Sequence, residues 1–153
     1  MLRAGRRRMQ QWMGNLPMDR RRHLLIVDDE LLIRDLLYDH FSGCDYDITL
    51  ADNGQSAMAR IAVEEFDTVI LDLKMPDMDG LELASAIKEK RPAMPIIIIT
   101  GYPSVESAVE ALRRRYCDYF VKPFNMKKLE KAVSAAIQEV EQTSGRGEGE
   151  RRA

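Results

Sequence analysis

Acidic, hydroxyl and ammonium side chains follow directly after short apolar runs of this sequence. Asp28 and Asp29 follow the first run, Asp72 the third, Thr100 the fourth and Lys122 the fifth. Clustered carboxylates repel one another unless a cation neutralises them, and an all-oxygen ligand set is typical of Mg²⁺. An aspartate beside such an ion is a competent nucleophile toward phosphorus, and Lys122 and Thr100 would stabilise oxygens of the transferred group. The residue types therefore predict phosphoryl transfer.

A regular alternation of strands and helices must position these side chains. Runs rich in β-branched residues predict strands over residues 23–27, 46–50, 68–71, 96–99 and 119–121. Helical periodicity predicts helices over residues 30–41, 54–65, 81–90, 104–114 and 126–140. Five strand–helix units in series imply right-handed crossovers and a parallel sheet with helices on both faces. The carboxyl ends of such strands meet at one edge, where open α/β sheets bind ligands.

Each predicted helix has one apolar stripe that we expect to be buried against the sheet. In the first helix the stripe consists of Leu32, Ile33, Leu36 and Leu37. In the fourth helix it consists of Val105, Ala108, Val109 and Leu112. The first, third and fourth strands are nearly continuous in Leu, Ile and Val, which is typical of strands covered on both faces.

The length of 153 residues fits one globular domain. The longest strand-like apolar run, residues 96–99, is far too short to span a membrane. Cys44 and Cys117 lie far apart in the sequence with no metal-ligand spacing, which favours a reducing, cytoplasmic location. His23 and His40 have no partner spacing that suggests metal binding or catalysis, and we interpret both as structural.

The two ends of the chain differ in composition from the region between them. Residues 1–23 contain seven arginines and one acid, and we interpret residues 1–21 as a flexible basic arm. No recognition helix or zinc pattern accompanies this arm, so neither nucleic acid nor a membrane is an expected partner. The polar, Gly-rich composition of residues 142–153 predicts a disordered tail.

Four motifs resemble those of the receiver domain of two-component response regulators: in order, LLIVDDE, LDLKMPDMDG, IIIITGY and DYFVKPF. The resemblance covers residues 22–141. It implies a flavodoxin-like, doubly wound α/β fold whose five parallel strands have the order 2-1-3-4-5. The stretch TGYPSVESAVEALR is most similar to nitrogen-regulation-type receivers. One departure is Arg115-Tyr116, where the family usually has Gly-Ala, so Tyr116 must pack either toward solvent or against the fourth helix.

The resemblance also implies a role for each residue at the predicted edge. Asp72 would be the phosphoacceptor, and Thr100 and Lys122 would contact the phosphoryl group. Thr100 and Tyr119 would form the conformational switch, and the Lys122–Pro123 peptide bond would be cis. The implied ligands of Mg²⁺ are Asp28, Asp29, Asp72 and the backbone carbonyl of Lys74.

These roles imply a single-domain response regulator that takes a phosphoryl group from a sensor histidine kinase. It would relay this change to an unidentified partner protein, and it would be no enzyme beyond removing its own phosphoryl group. Dimerisation through the face of the fourth helix, fifth strand and fifth helix is left open.

Two alternative functions remain open at this point. The first is a receiver-like interaction module that works without phosphorylation, and the second is the receiver fragment of a larger transcriptional regulator. A phosphatase or flavin protein on a similar sheet fits less well. The second acid that aspartyl phosphatases need is replaced by Lys74, and the first strand ends in acids rather than a phosphate-cradling loop.

Overall fold

A five-stranded parallel sheet organises the protein, for which a computed structural model describes residues 21–152, with side chains described as far as residue 143. The strands are β1 (Arg22–Val27), β2 (Tyr46–Ala51), β3 (Thr68–Asp72), β4 (Ile96–Thr100) and β5 (Asp118–Val121). The helices are α1 (Leu31–Ser42), α2 (Gly54–Val63), α3 (Gly80–Lys90), α4 (Val105–Arg113) and α5 (Met126–Arg152). The strand order is β2-β1-β3-β4-β5, which confirms the predicted fold class.

Two apolar layers cover the two faces of the sheet. Alternate residues of each central strand point to opposite faces, so Leu25 and Val27 join one layer while Leu24 and Ile26 join the other. The first layer contains side chains of α2, α3 and α4, and the second contains side chains of α1 and α5. Every residue of β3 and β4 is buried because both strands are covered on both sides.

Polar caps determine where several helices begin. The Asn53 side chain accepts a hydrogen bond from Ser56 N at the start of α2, and Asp79 accepts one from Leu81 N at the start of α3. At α4, Ser104 and Ser107 form a reciprocal capping box. These caps satisfy backbone N–H groups of the first turn and so anchor the loops at the carboxyl edge of the sheet.

The predicted burial of the α4 stripe is wrong. Val105 is 82% exposed and Leu112 is 79% exposed, whereas Ser107 and Ala111 are the buried residues of this helix. In α1, Leu32 and Leu36 are likewise exposed, and the buried residues are Leu37 and Phe41. Periodicity identifies an apolar stripe, but the surface that covers it depends on the packing of the helix.

Tyr116 takes the second of its two predicted positions and packs inward. Its ring is buried in the layer that contains α4 residue Ala111, whose carbonyl accepts a hydrogen bond from Tyr116 N. Arg115 adopts a left-handed backbone conformation with φ of 58°, a region that favours glycine. This conformation is the one that the glycine usual at this position in the resembled family would adopt most readily.

The predicted division into an arm, a receiver-like domain and a tail stays a prediction. Residues 142–152 have helical backbone as the continuation of α5. A helix already held in place by Leu129 and Val133 extends without a new nucleation cost. Residues 1–20 of the predicted basic arm lie outside the described residues. Among the helices of the described part of the chain, none has the length and apolar character that crossing a membrane requires.

Gly80 closes the loop that follows Asp72. Its backbone N donates a hydrogen bond to the Leu73 carbonyl at 2.9 Å, and Lys74 forms a bridge with Asp79 across the loop. A Cβ at position 80 would lie 2.3 Å from Leu73 Cα and 2.7 Å from the Asp72 carbonyl oxygen. This close approach of two backbone segments requires glycine.

Replacing Gly80 with alanine should therefore destabilise the protein. We expect Gly80→Ala to lower the free energy of unfolding by about 1 to 3 kcal/mol, because neighbouring backbone must move. Gly43→Ala is the matched control, since a Cβ there would lie 3.4 Å from the nearest atom, an ordinary contact. Urea denaturation measures the free energy of unfolding of both variants. Equal losses of stability in the two would contradict the requirement for glycine at position 80.

Candidate functional site

One ammonium group is shared by three carboxylates at the carboxyl edge of the sheet. Lys122 Nζ lies 2.8 Å from Asp28 Oδ2, 3.0 Å from Glu30 Oε1 and 3.5 Å from Asp72 Oδ2. Asp28 follows β1, Asp72 ends β3 and Lys122 follows β5, so distant parts of the sequence meet here. Asp28 and Asp72 are buried, and the Lys122 side chain is only 11% exposed. Screening by solvent is weak at such depth, and these charges interact strongly.

Short turns after β1 and β3 orient the two buried carboxylates. Asp28 Oδ1 accepts a hydrogen bond from Glu30 N at 2.9 Å, and Asp72 Oδ1 accepts one from Lys74 N at 3.3 Å. The remaining oxygen of each, Oδ2, faces Lys122. Despite the short ion pair, Asp28 Oδ2 is buried and accepts no hydrogen bond from the described residues.

The environment of Asp72 disfavours its charged form. Burial, and then the negative charge of Asp28, raise the pKa of Asp72 from its ordinary 3.8 to about 7, although Lys122 acts in the opposite direction. Burial alone would lower the pKa of Lys122. The carboxylates of Asp28, Glu30 and Asp72 outweigh that effect, so the pKa of Lys122 is raised and its ammonium stays protonated.

The cluster has the composition of a site for a hard divalent cation. Ligand oxygens of Asp28, Asp29, Glu30 and Asp72 all lie within 4.8 Å of one another. Asp29 and Glu30 are exposed, so an ion has access from solvent. One positive charge does not neutralise four acids, so the cluster keeps an excess of negative charge that a cation would offset. An all-oxygen set with room for water suits Mg²⁺ better than a transition metal.

A cavity of about 420 Å³ opens over Asp72 and Lys122. Lys74 and Tyr102 stand together at its wall, with Lys74 Nζ 3.9 Å from the centre of the Tyr102 ring. Cation–π contact of this kind holds both side chains beside the opening. Asp29 also lines this cavity, so it shares one solvent-accessible space with the predicted phosphoacceptor, whereas the buried Asp28 does not line it.

Thr100 and Tyr119 do not line this cavity. Thr100 is buried at the end of β4, and its Oγ1 accepts a hydrogen bond from Tyr102 N at 3.1 Å. It lines a neighbouring groove between α3 and α4 of about 670 Å³. The Tyr119 hydroxyl lies 2.7 Å from Ser107 Oγ, which belongs to the capping box of α4. Tyr119 is thus connected to α4, and the Lys122–Pro123 peptide bond is cis.

The sequence model of the response regulator receiver domain matches residues 24–134. The chain belongs to this family. Transcriptional regulatory protein ZraR of Klebsiella oxytoca is 38% identical over 114 residues, which are 74% of this chain and 26% of that protein. Regulatory protein AtoC of Escherichia coli strain K12 is 37% identical over 115 residues, or 75% of this chain and 25% of that protein. The receiver domain thus spans about a quarter of the length of these curated relatives.

Solved structures agree with this assignment. A CheY-like receiver domain protein of Methanospirillum hungatei superposes with a TM-score of 0.78 at 31% identity, covering 81% of this chain and 99% of that one. Response regulator TrrA of Thermotoga maritima, in complex with Mg²⁺-BeF, has a TM-score of 0.68 at 35% identity, and the match covers 75% of this chain and 98% of that one. NtrX of Brucella abortus has a TM-score of 0.76 at 31% identity, and the match covers 82% of this chain and 29% of that one. The predicted family and its nitrogen-regulation type are confirmed.

Sequence reasoning missed two residues of this region. Glu30 is not among the predicted site residues, although it follows Asp28 and Asp29 directly in the first motif and contacts Lys122. Ser107 is not among them either. Its place three residues after Ser104 predicts a capping interaction, but the contact with Tyr119 is tertiary and leaves no local signal.

Asp72 should make the stability of this receiver domain depend on pH. Between about pH 4 and pH 7 the folded state holds a proton on Asp72 that the unfolded state has released, so the free energy of unfolding falls as pH rises through this window. Asp72→Asn should therefore be about 2 kcal/mol more stable than the parent at about pH 8 without divalent cations, and similar to it at about pH 4.

Urea denaturation at both pH values, with a chelator present, measures this difference. Asp52→Asn is the matched control because Asp52 is an exposed acid directly after β2. We expect no comparable pH-dependent gain from it. A gain in Asp72→Asn that is the same at both pH values would contradict the assigned cause.

Proposed function

We propose that this receiver domain accepts a phosphoryl group from a sensor histidine kinase on Asp72. The observation that carries the proposal is the position of Asp72, buried at the end of β3 with Oδ2 3.5 Å from Lys122 Nζ and facing a solvent-accessible cavity. A carboxylate is a suitable nucleophile for this reaction, and the nearby ammonium is suited to the charge of the transferred group.

The proposed reaction forms one bond and breaks one. A carboxylate oxygen of Asp72 attacks the phosphorus of the kinase's phosphohistidine, a P–O bond forms, and the P–N bond breaks with its electron pair returning to the imidazole. Lys122, kept protonated by its neighbours, pairs with one phosphoryl oxygen, and Thr100 Oγ1 donates to another. Hydrolysis of the acyl phosphate by water would then reset the domain, making it a timed switch rather than an enzyme with an external substrate.

Mg²⁺ is the proposed cofactor, held by Asp28, Asp29 and Asp72 together with the Lys74 carbonyl. When bound, it would neutralise charge on the acids and on the phosphoryl oxygens. The oxygen-only cluster and its excess of negative charge support this ligand set. A Mg²⁺-BeF complex of the related TrrA also supports it. The proposal includes a cytoplasmic location, since Cys44 and Cys117 are both free thiols.

Labelling with a small phosphodonor tests the assignment of Asp72. In the presence of Mg²⁺, acetyl phosphate should label the protein, and Asp72→Asn should abolish labelling because the nucleophile is removed. Lys122→Met should slow labelling by about 100-fold or more, as expected for loss of a group that stabilises transferred charge. Mass spectrometry measures each rate. Asp52→Asn, the exposed strand-end control, should label normally, and labelling that survives in Asp72→Asn would overturn the assignment.

The switch that we propose runs from Thr100 through Tyr119 to α4. A phosphoryl group on Asp72 would attract the Thr100 hydroxyl and displace its hydrogen bond with Tyr102 N. Tyr119, which is hydrogen-bonded to Ser107 at the start of α4, would then change position. This movement would shift the equilibrium between two arrangements of α4 and β5. The contact between the Tyr119 and Ser107 hydroxyls supports this connection.

The surface that would read the switch is the exposed apolar face of α4 and β5, consisting of Val105, Val109, Leu112 and Val121. Apolar side chains gathered on an exposed surface favour association with a partner. We propose that a second copy of this domain is one such partner, brought together when Asp72 is phosphorylated. The transcriptional role of the curated relatives suggests, as an alternative, that this domain controls other parts of a larger regulator.

Beryllofluoride, which mimics the phosphoryl group, tests the switch and the surface together. With Mg²⁺ it should move the NMR resonances of Tyr119 and promote dimerisation, which sedimentation velocity measures. Leu112→Glu should weaken the dimer by about tenfold or more because it places a charge in the apolar contact. Val63→Glu is the control, since Val63 on α2 is similarly exposed at 77%.

Each outcome of that experiment separates the candidate functions. Unchanged spectra would favour a module that works without phosphorylation. Shifted Tyr119 resonances in a protein that stays monomeric would retain the switch and exclude the homodimer. Equal effects of Leu112→Glu and Val63→Glu would exclude the α4 face as the contact.

A further inference from the structure

A second group of metal-binding side chains lies between α1 and α5, outside the Asp72 cavity. His40 Nε2 is 2.9 Å from Glu130 Oε2 and 3.9 Å from Cys44 Sγ. The ligand atoms of all three residues lie within 4.8 Å of one another, and each residue is partly buried. The sequence-based view of His40 as purely structural, and of Cys44 as lacking metal-ligand spacing, misses this arrangement.

Helical geometry brings two of the three ligands together. His40 lies in the last turn of α1, and Gly43 after the helix keeps a helical conformation with φ of −69° and ψ of −14°. Cys44 therefore follows His40 by four residues on the same side of the turn. The four-residue step from His40 to Cys44 is visible in the sequence, but its meaning depends on a third ligand from α5.

Packed side chains hold the third ligand in place. Glu130 follows Leu129, which is buried in the layer shared by α1 and α5. Phe41, next to His40, is buried in the same layer and packs edge-on against Tyr46. His40 and Glu130 thus stand beside well-packed positions, which is a condition for a preorganised site.

The distances suit tetrahedral coordination. With metal–nitrogen and metal–oxygen bonds near 2.0 Å and metal–sulfur bonds near 2.3 Å, tetrahedral ligands are separated by about 3.3 Å for nitrogen and oxygen and about 3.5 Å for nitrogen and sulfur. The observed 2.9 Å and 3.9 Å bracket these values. Small side-chain rotations would place an ion at bonding distance from all three atoms.

The chemistry of the ligands selects the kind of ion. Thiolate and imidazole favour zinc and its neighbours in the transition series, whereas Mg²⁺ requires oxygen. We propose that His40, Cys44 and Glu130 form a site for Zn²⁺ that links α1 to α5, with water at the fourth position. This site is independent of the proposed phosphoacceptor, because the two sets share no residue and prefer different ions.

A simpler reading is that His40 and Glu130 form only an ion pair between the helices. In that reading Cys44 Sγ makes only a long hydrogen bond, 3.9 Å from His40 Nε2, beside the 2.9 Å ion pair. The two readings differ in one measurable respect, which is whether a thiolate becomes a metal ligand.

Cobalt provides the test because it takes zinc sites and reports its ligands. The whole chain, with excess Mg²⁺ to occupy the oxygen cluster, is titrated with Co²⁺ and its absorption recorded. We expect a thiolate-to-cobalt charge-transfer band with the visible bands of tetrahedral Co²⁺, at one ion per chain. Added Zn²⁺ should displace the cobalt and abolish the charge-transfer band and the visible bands. Oxygen ligands produce no thiolate band, so the Asp72 cluster cannot account for it.

Variants assign the band to a residue. The sequence contains two cysteines, so Cys44→Ser should abolish the band while Cys117→Ser, the matched control, should leave it unchanged. His40→Gln and Glu130→Gln should each weaken Co²⁺ binding by about tenfold or more. Absence of the band in the parent protein, its survival in Cys44→Ser, or its loss in Cys117→Ser would each overturn the proposal. Circular dichroism of each apo variant verifies that it remains folded.

Discussion

The ammonium of Lys122 offsets a concentration of negative charge at the carboxyl edge of the sheet. Two of the carboxylates near it, Asp28 and Asp72, are buried, and neither has another cationic neighbour at comparable distance among the contacts of the described residues. One ammonium does not neutralise the whole cluster, and burial together with the charge of Asp28 raises the pKa of Asp72. The site is therefore built with a deficit of positive charge. Such a deficit costs stability, and it favours whatever cation or protonation change reduces it.

The loops around this edge are held by one close approach of backbone segments and by hydrogen bonds from backbone N–H groups to acidic side chains. Gly80 lets the segment after Asp72 return against Leu73, and Asp77 accepts hydrogen bonds from Gly54 N and Gln55 N at the start of α2. Those two backbone donors lower the pKa of Asp77, so its charge is favoured where that of Asp72 is disfavoured. Acids of one motif thus have opposite roles, one supporting the loop and one facing the cavity.

The α4 region combines a firm anchor with an uncovered surface. Its start is held by the Ser104–Ser107 capping box and by Tyr119, while Val105 and Leu112 are open to solvent. A helix with few buried residues is less tightly held than the central strands and moves at lower cost. The position of α4 can therefore respond to changes at the end of β4, where Thr100 is buried.

Much of the fold and of the site followed from the sequence alone. The alternation of apolar runs with helical periodicity predicted a parallel sheet, because parallel strands require crossovers and buried strands require continuous apolar residues. Asp28, Asp72 and Lys122 were predicted to meet because each follows a strand, and carboxyl ends of parallel strands share an edge. The motifs then specified the strand order, which periodicity alone leaves open.

Tertiary structure decided what depends on how the elements pack against one another. The stripe of α4 was visible in the sequence, but its exposure was not, since exposure depends on which side of the helix meets the sheet. The contacts of Tyr119 with Ser107, and of His40 with Glu130, join residues 12 and 90 positions apart in the sequence. Local spacing carries no record of such pairs, because their distances are determined by helix placement on the sheet.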